Sequence, residues 1–489
     1  MSRRSEEWSN VSRREFLAAS AGSALLLPHA VTGLGAEGSG PWQATGTRVG
    51  EVSTNSAIVW TRLTKHPQRN NDGVVFPKKV DRKNFTPTDV PAADIEGACP
   101  ATAGRVRLLY GLTEDLSDAA STEWIDVAGE PDSIHQFRLS GLHSGSTYYY
   151  ASQTAAPGST SVTSEHRGKF FTAPEKYVPG DFRFCVMTCQ GYPDRDHVDG
   201  HPIYPSMSAL DPTFVTLTGD LVYYDSNEPR ALTPALARLH WERMFSLPRI
   251  VETLRNTGSY WLKDDHDTLS DDSWPGMDFG ELTFPEGLQI FFYFFPMGDD
   301  IYRTYRWGRD LQVWFTDGRD FRSKNDMPDG PDKTIWGAEQ KAWFKRTVAE
   351  SDATWKILIS PTPLVGEERP KKNDNHSNAG FAHEGNEIRG WLQEHAPDNF
   401  FVICGDRHWQ YHSVHPTFGT QEFSVGAASD SHAGGTPGED KAFHRFHRVQ
   451  GGFLCVELHA DGDKSRIAFQ LRNVSGNVSY EAAFERAVG

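Results

Sequence analysis

The chain has 489 residues, 38% of them hydrophobic and 12% aromatic, which is enough for a large core and for two or three domains. Its 65 acidic residues outnumber its 49 basic ones, giving a net charge of -16, and no basic run is interleaved with aromatic residues. This balance argues against nucleic acid as a partner. It is typical of a solvated surface, although some of the carboxylates can also gather around cations.

The N-terminal residues carry the pattern of an export signal. Arg13 and Arg14 precede the uncharged run AASAGSALLLPHA. Paired arginines ahead of a short apolar segment are the bacterial address for export of a folded protein. We therefore predict a twin-arginine signal over residues 1–36, the twin-arginine export machinery as a partner, and a periplasmic or secreted location. The run is too short to serve as a permanent membrane anchor.

Residues 41–173 alternate between apolar and polar side chains in runs such as GRVRLLYG and STYYYASQ, which predicts an antiparallel β-sandwich. The segment LSGLHSGSTYYYAS resembles the end of an immunoglobulin-like or fibronectin type III module, in which a tyrosine bonds back to the preceding backbone. Tyr148 or Tyr150 is the candidate for that bond. The polar stretch 65–102 interrupts the alternation, so we expect it to be a surface insertion.

Residues 181–475 have a different pattern, which predicts an α/β domain with a largely buried sheet. Their strand-like runs are nearly continuous in apolar residues, as in strands that are covered on both faces. Helical patterns at 231–246 and 337–350 fall between these runs. The stretch FLCVELHADGDKSRIAFQLRN predicts a hairpin that turns at Asp461-Gly462. We expect two stacked mixed sheets flanked by helices.

Four of the apolar runs end in side chains that can bind metal ions. FRFCVMT ends at Cys189, TFVTLT at Gly219-Asp220 with Tyr223 close behind, YWLK at Asp264-Asp265-His266-Asp267, and FFVIC at Gly405-Asp406-Arg407-His408. Because the carboxyl ends of strands in an open α/β sheet share one edge, we expect these clusters to meet in one crevice. Each cluster alone also fits a turn or a buried core residue. Together, thiolate, carboxylate, phenolate and imidazole favour a site for two metal ions.

The motifs TCQGY, GDLVYYD, DDHD and GDRH occur in this order and at wide spacing. In this the sequence resembles the alkaline phosphatase D (PhoD-like) family of the metallophosphoesterase superfamily. A twin-arginine signal and an N-terminal immunoglobulin-like domain also recur in that family. The resemblance extends from Ser12 to about Gln470. It implies an N-terminal immunoglobulin or fibronectin III-like sandwich followed by an α/β metallophosphoesterase domain with α/β/β/α layers.

The resemblance also implies ligands for a first metal ion. Asp220 matches the carboxylate that bridges the two metals, and Tyr223 matches the phenolate that binds ferric iron. Cys189 occupies the first-strand position at which this family has a cysteine. His408 matches an iron ligand. A hard trivalent ion suits these anionic ligands because its charge lowers their pKa.

Further roles implied by the resemblance concern the second metal ion and the substrate. Asp265 and Asp406 match ligands of a divalent ion, which we expect to be calcium ahead of manganese or zinc. His266 matches the acid that protonates the leaving group, and Arg319 in DGRDFRS matches a phosphate-binding arginine, with a structural ion pair as the alternative. The segment Ser360–Pro363 stands where the family has Asn or Gln, so the resemblance assigns no ligand there.

The function implied is an exported binuclear phosphoesterase that hydrolyses phosphate mono- or diesters by direct attack of a metal-bound hydroxide, without a covalent phosphoenzyme. One alternative keeps the fold and changes the substrate, giving a phospholipase D-like phosphodiesterase that acts on lipid head groups. A second alternative is a non-catalytic protein that binds a polysaccharide or a cell-envelope partner. The presence of His266 argues against this second alternative.

Two further polar segments could also contribute to a site. KKNDNHSNAGFAHEGNE contains His376, His383 and Glu384 and predicts either the rim of the crevice or a solvated loop. HRFHR, at 444–448, could bind metal but fits a charged surface better. Neither segment is needed for the predicted two-metal site.

Overall fold

The computed structural model of the protein describes residues 40–78, 87–129, 132–366, 369 and 372–488. The predicted export signal, residues 1–36, lies outside the described residues. No helix within the described ranges is both long enough and apolar enough to cross a membrane.

Two sheets pack face to face in the N-terminal part of the chain. One contains β1, β2 and β6, and the other contains β3, β4, β5, β7 and β8. Val59 and Phe137 from the first sheet meet Leu108 and Tyr150 from the second in a shared core, which accounts for the alternating sequence pattern. The strands are β1 Thr47–Gly50, β2 Ser56–Arg62, β3 Gly104–Gly111, β4 Ala120–Ser121, β5 Ile125–Val127, β6 Ile134–Ser140, β7 Thr147–Ala155 and β8 Val162–Phe171.

The two candidate tyrosines of β7 have different partners. The hydroxyl of Tyr148 accepts the backbone N–H of His143 at 2.9 Å, a bond back to the preceding backbone of the kind that the sequence predicts. The hydroxyl of Tyr150 instead donates to the carbonyl of Arg255 at 2.9 Å. Tyr148 therefore fastens the turn that precedes β7, and Tyr150 ties the sandwich to a helix of the following region.

The rest of the chain contributes to two large mixed sheets. The nine-stranded sheet has the order β23-β22-β21-β9-β10-β11-β1-β2-β6, and the seven-stranded sheet has the order β14-β15-β16-β17-β19-β18-β20. The remaining strands are β9 Phe182–Met187, β10 Phe214–Thr218, β11 Gly258–Leu262, β12 Asp278–Phe279, β13 Leu282–Thr283, β14 Arg303–Trp307, β15 Leu311–Phe315, β16 Trp355–Ser360, β17 Phe400–Cys404, β18 Gln410–Val414, β19 Gln421–Val425, β20 His444–Arg448, β21 Gly452–Asp461, β22 Lys464–Asn473 and β23 Val478–Ala487.

The N-terminal sandwich is continuous with the nine-stranded sheet. Strand β1 pairs in parallel with β11, and Val49 lies opposite Gly258. The hairpin predicted near the C-terminus is present as β21 and β22, which pair from Gly452 with Asn473 to Asp461 with Lys464. Its first strand lies beside β9 rather than in a separate sheet.

The two large sheets stack on one another through aromatic and branched side chains. Phe184 and Phe214 of the nine-stranded sheet pack in one cluster with Trp307, Ile357 and Phe401 of the seven-stranded sheet. Strands β9 to β11 are parallel to one another, as are β15 to β17. The apolar runs FRFCVMT, TFVTLT, YWLK and FFVIC correspond to β9, β10, β11 and β17, which are buried as predicted.

Helices cover the outer face of each large sheet, giving the predicted α/β/β/α layers. Thr233 caps α2 by accepting the N–H of Leu236, and Thr283 with Glu286 forms a capping box at α4. The first four helices cover the nine-stranded sheet and the last two cover the seven-stranded sheet. The helices are α1 Ile203–Ser208, α2 Pro234–Phe245, α3 Pro248–Arg255, α4 Phe284–Phe294, α5 Gly337–Glu350 and α6 Ala382–His395.

Many described residues of the 65–102 insertion are exposed, but the insertion is also anchored to the core. Ile95 and Ala98 are about 1% exposed and belong to the core beneath the first four helices. Arg69 donates to the carbonyl of Arg243 in α2 at 3.0 Å. The described part of the insertion therefore packs onto the α/β region, a contact that its polar sequence does not predict.

Candidate functional site

Sharp turns bring the predicted ligands out beyond the ends of the buried strands. Cys189, Asp220 and Asp406 all have left-handed backbone, with φ of 52°, 55° and 62°. This conformation is uncommon for residues other than glycine and tends to occur at functional sites. Gly219, at φ 95°, precedes Asp220, and a Cβ there would lie 2.7 Å from the Cβ of Asp264. The turn after β10 therefore requires glycine.

The predicted ligands of the first metal ion lie together. The Sγ of Cys189 is 3.5 Å from Oδ2 of Asp220, and the hydroxyl of Tyr223 is 3.3 Å from the same oxygen. The Tyr223 hydroxyl is also 3.2 Å from Nε2 of His408. Strand ends separated by more than 200 residues in the chain thus meet at one point, and we call these four side chains the Cys189 group.

Asp220 is shared between the Cys189 group and a second group of carboxylates. Ligand atoms of Asp220, Asp264 and Asp406 lie within 4.8 Å of one another, and so do those of Asp220, Asp265 and His266. We call Asp220, Asp264, Asp265 and Asp406 the carboxylate group. Sequence reasoning assigned no ligand role to Asp264, although it is part of the quoted DDHD motif.

Several oxygens of the carboxylate group are buried without a hydrogen-bond partner among the described residues. They are Oδ1 of Asp220, Oδ2 of Asp264 and Oδ1 of Asp265. A buried carboxylate oxygen without a donor is costly, so a cation is the partner that its chemistry requires. The donor set of these residues therefore fits metal ions.

The protonation of the buried ligands supports the same fit. Burial, followed by the carboxylate of Asp220, raises the pKa of both Cys189 and Tyr223 well above their usual values. Burial also raises the pKa of Asp220, and the nearby Asp265 and Asp264 raise it further. These shifts all disfavour the anionic forms. A bound metal ion would allow all of them to act as anionic ligands.

Arg319 contacts two members of the carboxylate group. Its side chain is about 1% exposed, and its Nε donates to Oδ1 of Asp264 at 2.5 Å. Its Nη2 is 3.5 Å from Oδ1 of Asp265. Although burial alone would raise the pKa of Asp265, the charges of Arg319 and His266 lower it. These contacts favour the structural ion pair over phosphate recognition.

His266 lies at the edge of the site with a carboxylate on each side. Its Nδ1 is 2.7 Å from Oδ1 of Asp225, and its Nε2 is 3.8 Å from Oδ1 of Asp271. Its ring lies 4.6 Å from that of Tyr223. Burial alone would lower the pKa of His266, but Asp225 and Asp265 raise it well above its usual value. Sequence reasoning missed Asp225, although it ends the quoted motif GDLVYYD.

Two further residues of the site were not predicted. His432 places Nε2 at 2.9 Å from the hydroxyl of Tyr223 and Nδ1 at 3.0 Å from Oδ2 of Asp194. His432 follows β19 by seven residues, so no strand-end signal marks it. Asp194 lies two residues beyond the quoted motif TCQGY, on a short 3-10 turn. The proximity of Asp194 to that motif was the only available signal.

The Ser360–Pro363 segment lies beside the turn that carries Asp406, because a Cβ at Gly405 would be 2.7 Å from the carbonyl oxygen of Pro361. The hydroxyl of Ser360 donates to the carbonyl of Thr362 at 2.7 Å, so it is not directed at the ligands. Thr362 is about 1% exposed, and its hydroxyl has no hydrogen-bond partner in the described part of the chain.

The other two polar segments lie outside both ligand groups. His376 and Glu384 are each about 1% exposed and bond to each other at 2.9 Å, which makes them part of the interior rather than of a solvated loop. His383 is exposed. HRFHR forms β20, which pairs with β18.

Solved structures with the same fold include two phosphatases. A structure of PhoD matches with a TM-score of 0.71 and 16% identity, covering 93% of this chain and 92% of that chain. Purple acid phosphatase PPD1 from yellow lupin (Lupinus luteus) seeds matches with a TM-score of 0.60 and 13% identity, covering 90% of this chain and 74% of that chain. At these identities the likeness shows the fold alone. No curated protein sequence matches the chain.

The stacked mixed sheets and the ligand groups beyond the strand ends fit a metal-dependent phosphoesterase. A family model described as PhoD-like phosphatase matches residues 184–448, which is more than half of the chain. The chain therefore belongs to the PhoD-like phosphatase family, and the resemblance drawn from its motifs is confirmed. Membership implies hydrolysis of phosphate esters.

Proposed function

We propose that this protein is an exported phosphoesterase that uses two metal ions to hydrolyse phosphate monoesters, diesters or both. The observation that carries the proposal is the sharing of Asp220 between the Cys189 group and the carboxylate group. A carboxylate shared by two adjacent ligand sets is the arrangement that a two-metal site needs. The orphaned oxygens of Asp220 and its neighbours support it.

The residues divide between two ions. The side chains of the Cys189 group would hold the first ion, for which we propose Fe³⁺, because thiolate and phenolate suit a trivalent cation. The carboxylate group would hold a divalent ion, for which we propose Ca²⁺ ahead of Mn²⁺ or Zn²⁺, because hard oxygen ligands dominate there. When bound, the two ions would activate water and stabilise negative charge on the phosphate oxygens.

The chain's own acid in this scheme is His266. Asp225 accepts the Nδ1–H, which fixes the rotation of the ring and leaves Nε2 to carry the second proton. The side chain is 13% exposed, so this nitrogen can reach a bound ester. We propose that Nε2 donates its proton to the departing alkoxide, and that Asp225 stabilises the imidazolium until the proton leaves.

We propose that the buried basic side chains near the site bind aspartates of the protein rather than the substrate. Arg319 neutralises Asp264 and Asp265 from beneath, and Lys263 is paired with Asp317 and Asp320. Both side chains are almost fully buried. We propose that Arg319 holds the two aspartates in place for the divalent ion, in the role of a positioning residue.

The domain organisation is part of the same proposal. We propose a signal at residues 1–36, an immunoglobulin or fibronectin III-like domain at 41–173 and a catalytic domain at 181–475. Strand β1 pairs with β11, so the first domain would act as a fixed extension of the catalytic sheet. Export would deliver the folded protein, with its metals, to the periplasm or beyond.

Metal analysis combined with substrate profiling tests the proposal. We expect the purified native protein to contain at least two metal ions per chain and to hydrolyse a phosphate monoester, a diester or both. Chelation should abolish turnover, and restoring the metals should recover it. A metal-free native protein that cleaves neither ester would overturn the proposal and favour a binding function. A strong preference for phospholipid diesters would assign it to the phospholipase D-like alternative.

A further inference from the structure

The hydroxyl of Tyr223 has a nearer neighbour than either of its partners in the Cys189 group. Nε2 of His432 lies 2.9 Å from this oxygen, compared with 3.2 Å for His408 and 3.3 Å for Asp220. The His432 ring also lies 4.4 Å from the ring of His408. His432 therefore contacts two proposed ligands of the same metal ion.

Both ring nitrogens of His432 are engaged. Nδ1 lies 3.0 Å from Oδ2 of Asp194, and Nε2 faces Tyr223. The carboxylate of Asp194 is an acceptor, so the Nδ1–H donates to it and sets the rotation of the ring. The side chain is only 12% exposed. An imidazole with both nitrogens occupied and little exposure is suited to holding a neighbour in place.

The loop that carries His432 is fastened at several points. Asp196 accepts the backbone N–H of Asp430 at 2.9 Å and that of Ser431 at 3.4 Å. Ahead of the histidine, the N–H of Ala428 donates to the carbonyl of Cys189 at 3.2 Å. This loop is thus hydrogen-bonded to the strand end that supplies the cysteine.

The fit between His432 and its partner leaves no space for an additional side chain. A Cβ at Gly191 would lie 2.9 Å from Nδ1 of His432 and 3.1 Å from Oδ2 of Asp194. The 65–102 insertion reaches the same place, because Nζ of Lys78 lies 2.9 Å from Oδ1 of Asp194. The insertion therefore contributes a charge that fixes Asp194, in addition to its packing on α2.

We propose that Asp194 and His432 form a positioning pair that fixes the hydroxyl oxygen of Tyr223 for metal binding. Asp194 holds His432, and His432 restricts the directions that the tyrosine oxygen can take. The inference rests on the proposed function, in which Tyr223 is a metal ligand. It adds two residues outside the ligand set and gives the insertion a structural role at the site.

The rate of metal loss to a chelator tests the pair without relying on activity. Metal bound to the purified holoprotein is measured by mass spectrometry after timed exposure to EDTA. Hydrogen-bond partners of metal ligands typically change affinity by about 10- to 100-fold. We expect His432→Phe, which keeps a ring without polar nitrogens, to release metal about 10-fold faster or more. Asp194→Ala should behave similarly, and the double variant should add little, because both changes break one chain of contacts.

Rescue and control variants separate positioning from general damage. His432→Gln places an amide near the former Nε2 position and should restore most of the metal retention. As a control, His459 in β21 forms an exposed pair with Asp181 at 2.9 Å, just ahead of β9. This pair lies at the end of β9 opposite to Cys189, so His459→Phe should leave the rate of metal loss unchanged. Thermal melting checks that each variant is folded. If His432→Phe does not fold, Asp194→Asn takes its place in the comparison with the wild-type protein.

The outcomes distinguish this inference from the proposed function. If the wild-type protein holds its metals and hydrolyses esters while folded His432→Phe releases metal at the wild-type rate, the positioning pair is wrong and the function stands. Failure of His432→Gln to improve on His432→Phe also counts against the pair. If the wild-type protein holds no metal, the inference and the proposed function fail together.

Discussion

The buried acid Glu384 and the carboxylate group contrast in how their oxygens are hydrogen-bonded. Glu384 accepts bonds from the Thr334 hydroxyl at 2.5 Å, the Ile335 N–H at 2.6 Å and the His376 ring at 2.9 Å. In the carboxylate group, by contrast, Asp220, Asp264 and Asp265 each keep one oxygen without a hydrogen-bond partner among the described residues. Glu384 is about 1% exposed, and Asp220, Asp264 and Asp265 are at most 4% exposed.

The contrast separates stability from function. A buried acid that receives donors on both oxygens contributes to folding, and removing its charge leaves those donors unsatisfied. A buried acid with an orphaned oxygen costs folding free energy unless something else binds it. The Glu384 cluster, formed by Glu384, Thr334, Ile335 and His376, is thus complete within the protein. The carboxylate group is complete only with cations.

The largest expected effect comes from changing one acid in each group. Asp220→Asn removes the carboxylate shared by both metal sites, so we expect turnover to fall by about 1000-fold or more, equivalent to about 4 kcal/mol of barrier. Because Oδ1 of Asp220 has no hydrogen-bond donor among the described residues, the metal-free variant should melt at the same temperature as metal-free wild type or slightly higher. Steady-state kinetics, metal analysis and calorimetry measure these changes.

The matched change in the other group is Glu384→Gln. It should leave turnover per folded molecule unchanged and reduce the free energy of unfolding by about 1–3 kcal/mol, because the Ile335 N–H or the Thr334 hydroxyl loses its acceptor. Equal loss of turnover in both variants would show that the comparison does not separate function from stability.

A smaller effect is expected from the two histidines that are paired with acids. His266→Ala should lower turnover by about 100-fold while the protein keeps its metals, because only the proton donor is lost. His376, paired with Glu384 at 2.9 Å, is the control, since His376→Ala should reduce stability and spare turnover. Unchanged turnover in His266→Ala would remove this residue from the mechanism.

The parts of the fold that sequence could predict are those encoded in short, continuous patterns. Buried parallel strands appear as apolar runs, and each quoted run ends within one residue of the strand, so the residues that follow were predictable. This is why Cys189, Asp220, Asp265 and Asp406 were found as a set. Asp225, two residues beyond Tyr223, was missed because no sequence pattern marks an aspartate as the partner of a distant histidine such as His266.

The rest depended on contacts between distant segments. The pairing of β1 with β11 joins residues about 200 positions apart, and nothing in either strand specifies its neighbour. The insertion contributes only a few apolar side chains, such as Ile95 and Ala98, to the core, too few for a pattern. His432 comes from a loop, where side-chain direction depends on the contacts of Asp196 rather than on local periodicity.

The smallest effect concerns pH, and the two groups should respond with opposite sign. In the Glu384 cluster burial alone would raise the pKa of Glu384, but His376, Thr334 and the Ile335 N–H lower it to about 2. Its contribution to stability is therefore present above the unfolded pKa of about 4 and is lost as the pH falls toward 2. In the metal-free protein, burial raises the pKa of Asp264 to about 8 despite the nearby Arg319.

For Asp264 the unfolded chain releases its proton near pH 4, whereas the metal-free folded chain keeps it until about pH 8. Between these values the unfolded state binds fewer protons, so stability falls as the pH rises. After removal of metal by a chelator, the Asp264→Asn variant should consequently lose less stability between pH 5 and pH 8 than the wild-type protein. Denaturant unfolding measures this difference. Parallel curves for the two proteins would show that Asp264 is already ionised without metal, and that the paired Arg319 alone suffices to hold its charge.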